Sequence, residues 1–495
     1  MKNARIVYNS DPSTIASHVL PDPVEADDLR HWTDMLADSG VDVFVQDAVN
    51  QGFTIYWRSD RFQYDLRPQH ERFLPLLDAG TQPLQVLRDR SHERGMTFLA
   101  GIRMNDGHDF PVFADFIESH PDWQLPKRWD VLGIQRPPEA SINVGGKRLD
   151  YTVDEVRAFY CEMMEDLLDC VCVDGLELIF RESYFPVPDA RDHAHLMTDM
   201  VRRVRVILDD RSRLTGTRLI LGVRVYANLE ECLLMGLDVP TWIGEGLIDY
   251  CCPMDTMFSD FNARYAEFGA LAQDSKCRMY PGLHPWTSHR MRLKSAMTPA
   301  MCRALAHTFY AAGADGISIF NHFVGHLWLP PCYPQALQVF HDLRDPQRVA
   351  RGERHYVFDP TWGGVPWMGW DRCQSGIVNA QRVSLDRKAD LPSGIFHFRL
   401  YEQMDRVGAT LLLRGANLTA QDELEVTLNG VPLNPGPFGR EDARAHDKCP
   451  DTRWFPLPEN APAFGDNQLS MALVASDSDA GDLIIDEVEI FVQPH

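Results

Sequence analysis

Carboxylates, guanidinium groups and imidazoles recur in this chain at one kind of place, just after short apolar runs. Asp47 follows one such run, and Arg103, Asn105, Asp106 and His108 follow the next. Glu177, Arg181 and Glu182 close a third, Arg224 a fourth, Asp255 a fifth, His284 and Trp286 a sixth, and Asn321 and His322 a seventh. Paired carboxyl groups are what glycosidic-bond hydrolysis needs. One protonates the leaving oxygen, and the other activates water or attacks the anomeric carbon, at about 5–5.5 Å separation for retention and about 6.5–9.5 Å for inversion. Glu182 and Asp255 are the leading catalytic pair, with Asp106 and Glu177 as substitutes for either role. Arg103, Arg181 and Arg224 suit a substrate bearing a carboxylate or sulfate, or else they neutralise the carboxylates beside them. Asp47, Asn105, His108, His284, Trp286, Asn321 and His322 complete the expected binding set. Trp286, Trp57 and Trp328 offer loop aromatics for stacking on sugar rings or for packing at the rim.

Each of these residues also has a structural use. Glu177 and Arg224 can form a buried ion pair, Asp106-Gly107 a turn, Asp255 a helix cap and His322 a satisfied core histidine. The cluster is stronger evidence than any member of it.

The elements that must position this set alternate between two periodicities. The pattern predicts strands at Ile6–Asn9, Val41–Asp47, Thr97–Met104, Gly175–Phe180, Leu219–Val225, Ile248–Pro253, Cys277–Leu283 and Gly316–Phe320. Between them lie helix-like stretches such as Glu25–Asp38, where Leu29, Trp32, Met35 and Leu36 share a face. Eight βα units predict an α/β fold, a (β/α)8 TIM barrel over residues 1–345, with its site at the C-terminal ends of the strands. Strand alternation then assigns faces. An unpaired carboxylate cannot cheaply face an apolar helix layer, so Glu177 points inward with Arg181, as do Leu99, Gly101, Arg103 and Asn105 on the third strand and Gly222 and Arg224 on the fifth.

After the charged stretch "DPQRVARGE" the pattern changes to short alternating strands, including "SGIFHFRLY", "ELEVTLNGVPL" and "LIIDEVEIFV". Asn429-Gly430 is a hairpin signal. Residues 346–495 therefore read as a smaller all-β sandwich.

Composition bounds the partners. The chain has 495 residues and a formal net charge of -23, which repels phosphate backbones and excludes nucleic acid as a partner. No run is apolar enough for a membrane span, and "MKNARIVYNSD" has no leader-like segment. The 11 cysteines fit no zinc spacing and read as buried free thiols, including the Cys170/Cys172 and Cys251/Cys252 pairs. A cytoplasmic location is expected, with no cofactor and no metal. The expected partner is an oligosaccharide or glycoside, and a homo-oligomer is compatible with this composition.

Two resemblances sharpen these expectations. "GDNQLSMALV…DLIIDEVEIFV" resembles the last strands of galactose-binding-like jelly-roll domains. "GVDVFVQDAVNQGFTIYW", "FLAGIRMNDGHD", "HPDWQL", "VDGLELIFRESYF", "GLDVPTWIGEGLIDYCCPMD" and "GADGISIFNHF" resemble uncharacterised bacterial barrel proteins related to the family-10-like glycosyl hydrolase group. Members often carry a fourth strand of the form D-G-[IL]-E-L-D-F. Asp174, Gly175, Leu176, Glu177, Leu178 and Phe180 match it, but Ile179 stands where the second acid belongs. The resemblance implies a polysaccharide-degrading hydrolase, with weight on Glu177 and Glu182.

Rival chemistries are weaker. "HAH" at His193–His195 has a metal-pair spacing but opens a helix rather than ending a strand. No strand end carries a glycine-rich phosphate loop or a Schiff-base lysine. The strongest alternative is a non-catalytic carbohydrate-binding barrel, supported by Ile179.

Overall fold

The computed structural model describes residues 3–107, 114–126, 148–186, 189–255, 258–287, 295–320, 322, 334–358, 381–436, 452–476 and 479–495. His108, Asn321 and Trp328 lie outside them.

Nine parallel strands form the first layer: β1 (Ile6–Ser10), β2 (Val43–Val49), β3 (Thr97–Met104), β4 (Gly175–Phe180), β5 (Ile220–Val225), β6 (Tyr250–Pro253), β7 (Arg278–Met279), β8 (Gly282–Leu283) and β9 (Ile317–Phe320). Their hydrogen-bonded order is β7-β6-β5-β4-β3-β2-β1-β9-β8. The sheet therefore curls through the expected sequence of neighbours, but its ladder is open. The expected seventh strand, Cys277–Leu283, is split into β7 and β8 at Tyr280-Pro281. β7 pairs with β6 and β8 with β9. Proline has no N–H to give a ladder, and a closed eight-stranded ring is replaced by a curled nine-strand sheet.

Helices Ala26–Asp38, Pro83–Glu93, Asp154–Cys170, Ala194–Thr215, Tyr265–Gln273 and Pro299–Ala311 cover its outer face. Phe44, Phe98, Leu176, Leu178, Leu221 and Val223 point outward into a core shared with Trp32, Leu87, Leu167 and Val204. The inner face packs Val7, Val43, Val45, Leu99, Tyr250, Cys252 and Tyr280 against one another. Inside the curl, then, is packed core rather than a pore.

Gly222 shows how tightly that interior is filled. A Cβ there would lie 2.0 Å from Cζ of Tyr250. The missing side chain makes room for the Tyr250 ring, whose hydroxyl donates to Glu177 Oε2 at 2.7 Å. Gly222→Ala is expected to destabilise the chain by about 1–3 kcal/mol through overpacking. An unchanged urea midpoint in that variant would contradict this account.

The remaining strands are antiparallel. β10 (Arg354–Phe358), β11 (Val383–Leu385), β13 (Val407–Ala416), β16 (Arg453–Pro456) and β18 (Leu483–Pro494) form one sheet. β12 (Ser393–Leu400), β14 (Asp422–Leu428), β15 (Val431–Leu433) and β17 (Gly465–Ser476) form the other. Phe358 of the first meets Phe398 of the second at 5.0 Å between ring centroids. Asn429 and Gly430 take φ of 50° and 81° at the β14–β15 turn, as an Asn-Gly hairpin requires.

The sandwich is pinned to the curled sheet at two places. Asn262, in the loop after β6, donates to the His397 carbonyl at 2.9 Å and accepts from the Arg399 N–H at 3.0 Å, using the open edge of β12. Glu402 accepts from Arg354 Nη2 at 2.9 Å and from the Tyr356 hydroxyl at 2.5 Å, with His307 of the barrel helix 3.6 Å away.

Among the described residues no helix is long and apolar enough to cross a membrane. Six described cysteines are buried, but Cys170 and Cys172 are exposed, against expectation. Cys170 ends a helix, and Cys172 lies in the turn before β4, where the helix layer no longer covers the chain.

Candidate active site

The polar residues at the strand ends fall into two layers. In the lower layer Glu177 and Arg224 face each other from adjacent strands, both fully buried, with Arg224 Nε 2.9 Å from Glu177 Oε1. Arg224 Nη1 also donates to Ser318 Oγ at 2.6 Å, while Tyr250 takes the second Glu177 oxygen. Glu177 is thus occupied on both oxygens. Leaving either partner alone inside the fold would cost more than the pair contributes.

The upper layer centres on Arg103. Its Nε donates to Asp47 Oδ2 at 2.6 Å, its Nη1 to Asp106 Oδ2 at 2.8 Å and its Nη2 to Asp11 Oδ2 at 2.7 Å. Asn9 donates to the other Asp47 oxygen at 2.6 Å. Asp11 also caps the helix Pro12–His18, accepting from the Ser13 N–H at 2.7 Å. Sequence reasoning missed Asn9 and Asp11. The signal was present in "YNSD" directly after β1, a strand end of the same kind as the others.

The surroundings push these carboxylates apart. Burial drives Asp47 up to about 6, against the pull of Arg103, and the charge of Asp11 adds to the rise. Asp11 is also buried, but Arg103, Arg67 and the Ser13 N–H together hold it below the usual carboxylate range. Asp47 therefore takes up its proton near pH 6 in the fold and near pH 4 when unfolded. The folded state binds more protons between those values, so this contribution to stability is complete below about pH 4 and is lost as the pH rises through about 6. Asp47→Asn removes it. Relative to the parent, the variant is expected to gain about 2–3 kcal/mol between pH 4 and pH 7. Urea unfolding across that range measures the difference, and a pH-independent offset would refute the assignment.

Arg181 lies beside this group, its guanidinium 4.3 Å from the centroid of the Phe320 ring. Burial pushes its pKa down to about 10, and Arg103 adds to the fall, while Glu182, Asp106 and Asp47 oppose it. Glu182 receives Arg148 Nε at 2.8 Å and remains partly exposed. Asp106 and Glu182 both act on the buried Tyr160 as well, so the two carboxylates share a neighbourhood. His284 and His322 are held neutral. Burial takes His322 down to about 3, and burial, Arg181 and Arg224 take His284 well below its ordinary value. Ile179, Met254 and Phe320 form an apolar patch within this ring of polar groups.

The other expected site residues have partners of their own. Asn105 does not face the interior: its φ of 71° breaks the strand alternation. It clamps two loops instead, donating to the Leu149 and Ser183 carbonyls at 2.7 and 2.6 Å and accepting from the Leu149 N–H. Asp255 accepts from the Phe258 N–H at 3.1 Å, and its carbonyl accepts from His284 Nε2 at 3.2 Å. Trp286 is buried, its carbonyl accepting from the Ser259 N–H. Trp57 is buried too, its indole donating to Asp166 of a barrel helix at 2.8 Å, and gives no face to a sugar. His193 stacks on Phe185 at 5.6 Å between ring centroids.

No family model matches the chain, and no curated protein matches it. Distant likenesses exist among solved structures. The glycoside hydrolase domain of PgaB (BpsB) from Bordetella bronchiseptica is 14% identical, covering 69% of this chain and 98% of that one at a TM-score of 0.45. Alpha-L-fucosidase isoenzyme 2 from Paenibacillus thiaminolyticus is 11% identical, covering 72% and 51% at 0.42. An alpha-amylase from Geobacillus thermoleovorans is 12% identical, covering 96% and 99% at 0.41. Likenesses this distant carry neither residue correspondence nor activity over to this chain.

Proposed function

We propose that this chain is a glycoside hydrolase cleaving a glycosidic bond at the C-terminal mouth of the curled sheet, with Asp106 and Glu182 as the carboxylate pair. The supporting observation is Arg181, whose guanidinium lies over Phe320 and feels the charge of both carboxylates. Carboxylates around a common cation, with neutral imidazoles nearby, suit acid and base roles on one bond. Asp47 and Asp11 share Arg103 with Asp106. Asp255, held by the Phe258 N–H, is a wall of the site rather than one of the reacting pair.

Arg181 also bears on the substrate. Arg103 and Arg224 have their pKa values raised by carboxylate partners, whereas that of Arg181 is lowered. Three arginines at the mouth, Arg103, Arg181 and Arg224, suit a saccharide bearing a carboxylate or sulfate. No step of this reading uses a cofactor.

The alternative, a non-catalytic carbohydrate-binding barrel, draws on Ile179, whose apolar patch stands where a second acid of the fourth strand would be. One experiment separates the two. The parent protein is incubated with neutral, uronic and sulfated oligosaccharides while reducing ends and binding are both followed. Sugar release from an acidic member supports hydrolysis. Binding without release supports the binding barrel and overturns the reading.

A further inference from the structure

A groove of about 530 Å³ lies on the sandwich, away from the strand ends, with Glu402 and Met404 among its lining. Its rim carries Gln403, Asp405, Glu459, Asn460 and Phe464. Phe464 is 60% exposed, the only aromatic among the exposed large hydrophobic residues described.

Phe464 is held in place. Tyr401 meets it edge-on at 5.4 Å and 77°. The loop that carries it is fixed by the buried Asn467, which accepts from the Ala463 N–H at 2.8 Å and donates to the Ala463 and Gly465 carbonyls at 2.9 and 2.8 Å. Asn429 donates to the Ala461 carbonyl at 2.8 Å from the neighbouring turn. Gly465, with φ of 104°, lets the chain turn into β17 directly after the ring. Four hydrogen bonds and a glycine thus present one phenyl face to water. A single exposed apolar side chain is ordinary; one whose loop is fixed by a buried amide at the rim of a groove is pre-organised.

The rim chemistry narrows the ligand. A pyranose has a face of C–H bonds and an edge of neighbouring hydroxyls. An aromatic ring takes the face, and planar carboxylates and carboxamides take paired hydroxyls. Phe464, Glu459, Asp405, Asn460 and Gln403 supply both kinds of group within one groove, of a size typical for small-molecule sites. The two carboxylates, on a chain of net charge -23, disfavour an anionic ligand. We propose that this groove is a second saccharide site, binding neutral hexose or pentose units of an oligosaccharide on the face of Phe464. It shares with the proposed function the class of ligand but neither the site nor the need for turnover.

The test is calorimetric titration of the full chain with cellohexaose, xylohexaose, mannohexaose and maltohexaose, and with hexagalacturonate as the acidic control. The parent is expected to bind at least one neutral chain, and any binding of hexagalacturonate should be unaffected by Phe464→Ala. Phe464→Ala should weaken that binding at least tenfold, Asn460→Ala should weaken it severalfold, and Phe464→Tyr should keep it. A chain carrying Asp106→Asn and Glu182→Gln should bind as the parent does, whether or not the parent releases sugar. The inference is overturned if no neutral chain binds, if Phe464→Ala binds unchanged while folded, if Phe464→Ala weakens hexagalacturonate as much as the neutral chain, or if the Asp106/Glu182 variant loses the binding instead.

Discussion

Replacing Arg103 with methionine is expected to destabilise the chain by about 3–5 kcal/mol at pH 8, and by much less near pH 4. Three buried carboxylates, Asp11, Asp47 and Asp106, meet this one guanidinium. Methionine fills similar volume but removes the guanidinium that all three share, and breaking a buried pair is costly; Arg67 near Asp11 and Arg181 near Asp47 and Asp106 remain. Without the cation all three take up protons more readily in the fold than in the unfolded chain, where the reference is near pH 4. Stability then falls as the pH rises from about 4, because the folded state holds more protons over that interval. Denaturant unfolding of the parent and Arg103→Met from pH 4 to 8 gives the difference curve. A loss under about 1 kcal/mol, or one that does not grow with pH, would show that the carboxylates are compensated by something other than Arg103.

Glu182→Gln and Asp106→Asn should each lower kcat on the cleaved oligosaccharide by about 10²–10⁴, the range for removing a positioned acid or base. KM should change far less, since each replacement keeps its shape and much of its hydrogen bonding. Asp255→Asn should stay within about tenfold of the parent if it only shapes the wall. Arg181→Ala should raise KM for an acidic substrate more than for a neutral one of the same length. Full activity in either Glu182→Gln or Asp106→Asn excludes that pair. A collapse confined to Asp255→Asn would move the chemistry to the loop after β6.

The two variant sets put different questions to the same region. Arg103→Met tests why the carboxylates can be buried at all, and the Asp106 and Glu182 variants test what they do there. Asp47 links them, because its proton, held to about pH 6, adjusts the charge against which Asp106 works.

Much of this arrangement was legible in the sequence for one reason: period-two alternation in a strand fixes faces. That is how Glu177 and Arg224 could be assigned to the interior, and why Leu176, Leu178 and Val223 could be assigned to the helix layer. Alternation fails where the backbone leaves the extended region. Asn105 has positive φ, so its side chain swings to the neighbouring loops, and no period in the sequence marks that. The break at Pro281 was visible as a proline inside an apolar run, but the run was long enough to read as one strand. Asp11 was missed because β1 is short and its polar end merges with a helix cap. Trp57 read as a loop aromatic; its burial depends on Asp166, 109 residues away in the chain, a contact that no local pattern reveals.

The open ladder at Tyr280-Pro281 has a mechanical consequence. A closed ring of strands resists widening all the way around, whereas a clasped band yields first at its clasp. Between β7 and β8 the wall is one short stretch of chain, the Tyr280 N–H donating to the Cys251 carbonyl and the Met279 and Pro281 carbonyls accepting from the Asp315 and Ser318 N–H groups. Load passing around the wall therefore runs through this one short stretch, just before His284. The loop after β6 ties this stretch to the second domain, Ser259 bonding to the His284 backbone while Asn262 holds the His397 carbonyl.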